Sequence, residues 1–509
     1  DHCGLPGARL GGRADVVVGA DAGDPILVAE FSDLSGLRSG SLVRAGAGMA
    51  KPVKATRSPS SGKLSRGAIA GMAVARVGLA HLSHKAQGLT RADEHTPQAK
   101  AAHEAELGRI LFAALNQLKG TALKASQLLS MELGFLPEGI RRELAKAHYQ
   151  VTPLNRALVI KLLRQEFGAG PDSLFQTLEP QAFAAASLGQ VHAATLADGQ
   201  AVAVKLQYPG MATSIGSDLA LLRTLLSAIS LRTHTLPKAD IVAPVMADIE
   251  HKLAEELDYL HEAEQLVWFG QHLAQTHWVV PQPVPRLTSR RVLTMQRLTG
   301  LHLNEWLQTQ PSQTERDHFG QLLFDLFMRC LFDLRRLQAD PHPGNYLFMP
   351  DARLGLLDFG CTRVLNADFC EGLAMAWSAQ LRQPRDEAQM QQAYLRLGLI
   401  APTLSERDFH TQLMPALAEL HAWQGLPFAV DVYDFGQLPP LPRMSATQQR
   451  QAMRHLHAMP PDMPYFDRAH LGLTQLLRTL GARVRTTNPW IHETLRVRPL
   501  ARAMCSDPN

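Results

Sequence analysis

The chain has 509 residues with 46% apolar residues and a formal net charge of +4, so it is too long for one ordinary domain and charged too evenly to name a partner class. Five cysteines (Cys3, Cys330, Cys361, Cys370 and Cys505) are scattered without a CxxC pair, which argues against a zinc site or a disulfide framework and for a reducing compartment. No run of eighteen or more uncharged apolar residues occurs, so no transmembrane helix is expected.

Residues 1–48 are rich in Gly, Ala and Asp, and Met49 opens a stretch that reads as a natural start; 1–65 is expected to be an extension without fixed structure. Between Leu34 and Ala92 there are ten Lys or Arg and no Asp or Glu. That run reads as a solvated basic linker or, more sharply, as a segment for an anionic membrane surface. Gly67 and Gly71 have GxxxG spacing in a short apolar stretch, which predicts a close helix contact rather than a span. Residues 97–148 carry apolar residues at helical spacing (Leu107, Leu111, Ala114, Leu115, Leu118), and Lys124 and Gln127 fall on one helix face just beyond. Read alone, that pair is two exposed polar residues.

A second amphipathic helix is expected over 153–167, followed by a small-residue loop, Ala184-Ala185-Ala186-Ser187. Strands are predicted from Val191 to Leu196 and from Ala201 to Gln207, with the turn Ala197-Asp198-Gly199-Gln200 between them. The second strand reads Val202-Ala203-Val204-Lys205, close to the Val-Ala-Ile-Lys pattern whose lysine contacts nucleotide phosphates. The loop before it stands where a phosphate-cradling loop would stand. One helix is predicted over 240–275, with acidic residues Glu255, Glu256, Asp258, Glu262 and Glu264. At 100° per residue Glu255, Asp258 and Glu262 share a face, and a strand lysine needs one such helix carboxylate. The stretch Arg291–Gly300, with Met295 in it, reads as a strand running into a hinge, and 312–336 as a long amphipathic helix.

The densest chemistry follows. Asp340-Pro341-His342-Pro343-Gly344-Asn345 precedes two short apolar strands around Pro350–Arg353, then Asp358-Phe359-Gly360. An Asp, an Asn five residues on and a following Asp-Phe-Gly is the arrangement of phosphoryl transfer: the first carboxylate takes the acceptor proton, and the other two hold metal on the phosphates. His342 reads as a loop-structure residue and Cys361 as a small packed thiol. Residues 366–509 are helical in pattern, broken at 437–442 and 460–464, without a repeat, a Walker loop or a nucleic-acid motif.

The order Lys-x-x-Gln, Ala-Ala-Ala-Ser, Val-Ala-Val-Lys, Glu-x-Asp, Asp-Pro-His-Pro-Gly-Asn, Asp-Phe-Gly resembles the aarF-domain, UbiB-type atypical kinases, a family associated with ubiquinone biosynthesis. The resemblance implies an α+β, two-lobed protein-kinase-like fold, with a helical extension over 66–150, an N-lobe over 151–297 and a mostly helical C-lobe over 298–509. It implies ATP with Mg²⁺ or Mn²⁺ as cofactors. Asp340, Lys205 and Glu262 would be catalytic, and Asn345 and Asp358 the metal ligands. Ala184, Ala185, Ala186, Ser187, Lys205 and Met295 would bind the nucleotide. Lys124, Gln127, Glu256 and Asp258 would form a regulatory extension over the site; Ser126 stands where the family has Gly. Gln338-Ala339 replaces His-Arg and no Ala-Pro-Glu follows, which disfavours a protein substrate. A small or lipid-like acceptor is expected, with quinone-biosynthesis proteins and an anionic membrane surface as partners and no nucleic acid. The expected location is cytoplasmic and peripheral to a bacterial inner membrane, or on the mitochondrial matrix side. A protein Ser/Thr kinase and a nucleotide-binding scaffold or lipid chaperone are the competing functions.

Overall fold

The computed structural model describes residues 68, 71–80, 97–118, 121–122, 124–125, 138–145, 154–186, 188–233, 239–273 and 277–492. Ser126, Gln127, Ser187 and most of the basic run lie outside them. The molecule is α+β, with a two-lobed, kinase-like arrangement.

Helices α1 (Pro97–Leu118) and α2 (Glu138–Ala145) belong to the extension. Leu107, Leu111, Leu115, Ile140 and Leu144 pack in one cluster with Leu219, Leu222 and Ile229 of α4 (Met211–Thr233) and Ile249 and Leu253 of α5 (Ala239–Glu256). Burying that stripe supplies most of what holds these helices, because helices in proteins draw their stability from packing an apolar face more than from propensity. Of the GxxxG pair, Gly67 lies outside the described residues, and the close contact expected at Gly71 is not made: a Cβ there would meet nothing within 4 Å, while Ala73, Val77 and Gly78 are the buried positions of 71–80.

Helix α3 (Arg156–Phe167) begins at Asn155, whose side chain accepts from Leu158 N–H, and ends at Gly168 with φ 71°. It packs Val159, Leu162 and Leu163 on Val202, Val204, Leu206 and Val292. Strands β1 (Thr177–Ala186), β2 (Gly189–Thr195), β3 (Ala201–Gln207) and β5 (Val292–Gln296) form the antiparallel N-lobe sheet in that order. Ala184–Ala186, read as loop, are strand: Ala186 pairs with Gly189, so the hairpin is tight and the small side chains sit in the ladder. Strand β4 (Trp278–Val279) joins a separate sheet beside β8 (Leu354–Leu356) and β7 (Tyr346–Phe348).

The single helix predicted over 240–275 is two. Helix α5 stops at Glu256, and α6 (Tyr259–His272) starts afresh because Asp258 is extended (φ −107°, ψ 90°) and its carboxylate accepts from Leu260 and His261 N–H. The shared face predicted for Glu255, Asp258 and Glu262 therefore does not exist. The helix predicted over 312–336 ends earlier as well. Following α7 (Leu303–Gln308), helix α8 (Gln313–Met328) gives way to a π-helical turn at Arg329–Asp333 and then to β6 (Arg336–Gln338). Strand β6 pairs with β9 (Thr362–Val364), so the loop that begins at Asp340 and the segment after Asp358 run as neighbours. The C-lobe core gathers Phe319, Leu323, Phe327 and Leu331 with Phe369 and Trp377 of α9 (Ala367–Leu381) and with Phe466, Leu473 and Leu477 of α10 (Met463–Leu480).

Candidate functional site

Lys205 lies mid-strand in β3, opposite Val191 of β2 and Leu293 of β5, with Nζ buried under the sheet. It donates to both Glu262 oxygens at 2.7 and 2.8 Å and to Asp358 Oδ2 at 3.1 Å. Glu262 reaches it because the Asp258 cap fixes where α6 begins, one turn earlier. Burial would lower the Lys205 pKa, but the Asp358 and Glu262 carboxylates outweigh it and hold the ammonium well above its usual range. Burial pushes the Glu262 carboxyl up, to about 7, against the pull of Lys205. The Tyr259 ring lies 5.1 Å from the same ammonium, and its buried hydroxyl has no hydrogen-bond partner among the described residues. Gly189 has to be glycine at this point: a Cβ would stand 2.3 Å from Leu206 O and 2.8 Å from the Tyr259 hydroxyl.

Asp340 follows β6 directly. Its main-chain oxygen accepts from Asn345 Nδ2 at 2.8 Å and from Gln338 Nε2 at 2.8 Å, which folds the loop over itself. His342 serves the loop as expected: its Nδ1 accepts from Gly344 N–H at 3.0 Å. The Asp340 carboxylate is held by Arg468 at 2.7 Å. Burial would raise its pKa, but Arg468, Lys124 and His342 outweigh it and hold the group below the usual carboxylate range.

Asp358 Oδ1 accepts from Gly360 N–H at 2.9 Å, and Oδ2 faces Lys205. Phe359 is buried and stacks on Phe269 of α6 at 4.4 Å, tying Asp-Phe-Gly to the helix that carries Glu262. As metal donors, Asn345 and Asp358 fit a hard divalent cation. Asn345 spends its amide nitrogen on the loop, which leaves its oxygen, and each Asp358 oxygen keeps lone pairs beyond its one hydrogen bond.

The extension brings Lys124 to Glu256 at 2.9 Å, with both side chains nearly buried. Burial would lower the Lys124 pKa, yet Glu256 and then Asp340 outweigh it and raise it. Asp258 is corrected as a member of that group: it caps α6 and faces Arg290 at 3.8 Å, not Lys124. Met295 is buried in β5 opposite Ala203, and Ala184–Ala186 form the tip of the β1–β2 hairpin. Cys361 is partly buried, and burial pushes its thiol up to about 12.

Arg468 was not visible in the sequence. It is 128 residues from Asp340 and belongs to no local motif. The local sign it leaves is an arginine one turn from both Tyr465 and Gly472 in the Met463–Leu480 helix.

Residues 146–394 match the family model described as the ABC1 atypical kinase-like domain. The mitochondrial atypical kinase COQ8B of Rattus norvegicus is 31% identical over 349 residues, which is 67% of this chain and 63% of that protein. The mitochondrial atypical kinase COQ8 of Saccharomyces cerevisiae is 29% identical over 378 residues, 72% of this chain and 72% of that protein. The match thus takes in a little under two thirds of the rat protein's length. Among solved structures, a Mycobacterium tuberculosis protein in complex with erythromycin shares the fold at a TM-score of 0.54 and 24% identity, over 76% of this chain and 95% of that one.

Proposed function

From a chain that carries a domain of the ABC1 atypical kinase-like family, we propose a Mg-ATP-dependent phosphotransferase or ATPase acting in ubiquinone or other isoprenoid-lipid metabolism. The observation that carries the reading is the single Lys205 ammonium bound at once by Glu262 and Asp358, because this joins the nucleotide-binding strand to the metal-binding motif in one hydrogen-bonded unit.

In this reading Lys205 binds the α- and β-phosphates, and Glu262 holds it there. Ala184–Ala186 and the turn after them cover the phosphates with main chain. Asn345 and Asp358 would hold Mg²⁺ or Mn²⁺, which neutralises phosphate charge during transfer. Asp340 faces the acceptor hydroxyl and takes its proton. Lys124, anchored by Glu256 and near enough to Asp340 for their charges to interact, would narrow the acceptor side and so favour a small or lipid-like acceptor over a protein. Residues 1–67, which hold most of the basic run, lie outside the described residues, and no described helix is long and apolar enough to cross a membrane. Peripheral attachment to anionic lipid through 51–91, and assembly with quinone-biosynthesis proteins, belong to the same proposal.

The test is thermal stabilisation by Mg-ATP, in wild type and in Asp358→Asn. Stabilisation should be clear in the first and absent in the second; an unchanged shift in the variant would sink the metal assignment. Flotation with anionic but not neutral vesicles, lost on removing 49–91, checks the membrane part.

A further inference from the structure

A second basic face lies in the C-lobe, remote in sequence from 51–91. Residues 435–461 hold three arginines (Arg443, Arg450 and Arg454), two histidines and no Asp or Glu. The middle of the run is one helix, Ala446–His455, opened by a capping box between Ser445 and Gln448. At 100° per residue Thr447, Arg450, Met453 and Arg454 share one side of it. All four are exposed, and Ala452 on the other side is buried.

The buried side anchors the helix. Ala452 packs with Tyr394, Phe409 and Leu417, and His455 Nε2 donates to Gln412 Oε1 at 3.1 Å. The chain beyond is anchored as well: His457 N–H donates to Leu399 O at 2.7 Å, and Pro460 is buried. Met459, between them, is therefore held out from fixed main chain.

What the exposed side presents is a mixture. Met453 is the most exposed large apolar side chain among the described residues, at 73%, and Met459 follows at 63%. One such residue would be ordinary. Here two are interleaved with three arginines, none of which has a carboxylate partner among the described residues; Arg450 reaches only Thr447 Oγ1, at 3.4 Å. Asp408, beside the segment packed behind the helix, accepts from Ser405 and Gln412 instead.

That mixture selects its partner. Nucleic acid would meet the guanidinium groups with phosphate but leave both methionines against water, and the exposed side has no aromatic ring on which a base could stack. An acidic protein would meet the same charges, yet the aromatic anchors that dominate protein interfaces are missing too. An anionic bilayer satisfies both kinds of side chain. Its phosphates lie at the level of the guanidinium groups, and the acyl boundary just below accepts flexible apolar tips.

We propose that Arg443, Arg450, Met453, Arg454 and Met459 seat the C-lobe on an anionic lipid surface, as a contact separate from 51–91 and independent of whether the chain transfers phosphate. The run leads straight into α10, whose Arg468 holds Asp340 at 2.7 Å. Seating this face therefore fixes how the Asp340 part of the C-lobe is turned toward the lipid, which a tether through 51–91 alone would leave free.

The experiment follows methionine oxidation in the full chain. Dilute hydrogen peroxide is added with no vesicles, with phosphatidylcholine vesicles, or with vesicles of phosphatidylcholine and phosphatidylglycerol in equal parts, and sulfoxide at Met453 and Met459 is read by mass spectrometry. The anionic vesicles should slow oxidation of both at least threefold, and the neutral ones should not. R450E/R454E, in the full chain, should lose that protection even where the chain still floats with the vesicles through 51–91. Its melting temperature without lipid should match wild type, since both side chains are exposed and bonded to no other element. Wild type that floats with anionic vesicles while Met453 and Met459 oxidise at the lipid-free rate would overturn the proposal, as would failure to float. Equal protection by neutral vesicles, or protection that survives R450E/R454E, would do the same. Duplex DNA and polyglutamate at matched charge are the last arms: protection by either as strong as that by anionic vesicles would give the face to nucleic acid or to an acidic protein and overturn the lipid assignment.

Discussion

The two ends of the cleft are built in different ways. At the lysine end, Lys205, Glu262 and Asp358 come from a strand, a helix and a loop whose positions are set by neighbouring pattern: a ladder, a capped helix start and a hairpin. At the other end, Asp340 is gripped by an arginine 128 residues away, on a helix that reaches it only because one residue has no side chain. The first end buries Lys205 and Glu262 and leaves Asp358 about a third exposed. The second is a seam between the Asp340–Asn345 loop and the far part of the C-lobe.

If that contrast is right, the largest loss should come from breaking the buried Lys205–Glu262 pair. Glu262→Ala leaves Lys205 with Asp358 as its remaining carboxylate partner at 3.1 Å, in a buried setting. Removing one member of a buried pair costs about 3–5 kcal/mol. Urea unfolding should show a loss in that range, and a loss below about 1 kcal/mol would mean that the Lys205 charge is solvated after all. Glu262→Gln, which keeps the shape and one acceptor, should fall between.

Acid should act next, and on the other end. His470 is on α10, two residues past Arg468, buried and stacked on Phe466 at 5.5 Å. Burial lowers its pKa from 6.5 to about 4. The folded state therefore resists a proton that the unfolded chain accepts. Stability from this group is complete above about pH 6.5 and falls as pH drops toward 4, at about 1.4 kcal/mol per pH unit. His421, also lowered to about 4 by burial and bonded to the Tyr394 hydroxyl at 2.6 Å, adds in the same direction from another C-lobe helix. His470→Gln should flatten the stability–pH slope between 6.5 and 4, and a slope identical to wild type would remove His470 from the account.

These differences also mark how much could be read beforehand. Strand β3 was legible to the residue, because the Asp198-Gly199 turn bounds it on the N-terminal side and Val202-Ala203-Val204-Lys205 marks its middle. The hairpin between Asn345 and Asp358 was legible for the same local reasons. Of the elements that misled, two show why. The acidic run at 255–264 has helical periodicity throughout, and nothing in the pattern says that Asp258 will turn outward to cap rather than continue. The triple alanine favours helix by propensity, yet pairing with β2 wins, since a ladder is fixed by its partner strand as much as by its own residues. Arg468 and Gly472 were illegible because their meaning is a contact, Pro341 across the fold, that no window of sequence contains.

Gly472→Ala tests the seam itself. The added methyl group overlaps Pro341, a rigid ring that cannot move aside as a flexible side chain would. Overpacking of this kind costs about 1–3 kcal/mol. The helix should lift, and the 2.7 Å contact of Arg468 with Asp340 should lengthen. A structure of the variant with that contact unchanged would show that the loop yields instead, and would weaken the account of the seam.

The smallest effect expected is at Asp258, and it separates two readings of one carboxylate. Family resemblance groups Asp258 with Lys124 and Glu256, as part of the extension over the site. Geometry makes it the N-cap of α6, with two main-chain N–H groups on its oxygen. A cap lost to alanine costs about 1 kcal/mol, whereas asparagine caps nearly as well as aspartate. Asp258→Ala should therefore lower stability by about that amount and loosen the placement of Glu262, four residues on, while Asp258→Asn restores both. If the carboxylate's charge were what mattered, asparagine would fail as badly as alanine in ATP turnover while leaving stability intact. Measuring melting and turnover on both variants reads the two roles separately, because only the cap is rescued by a neutral oxygen of the same shape.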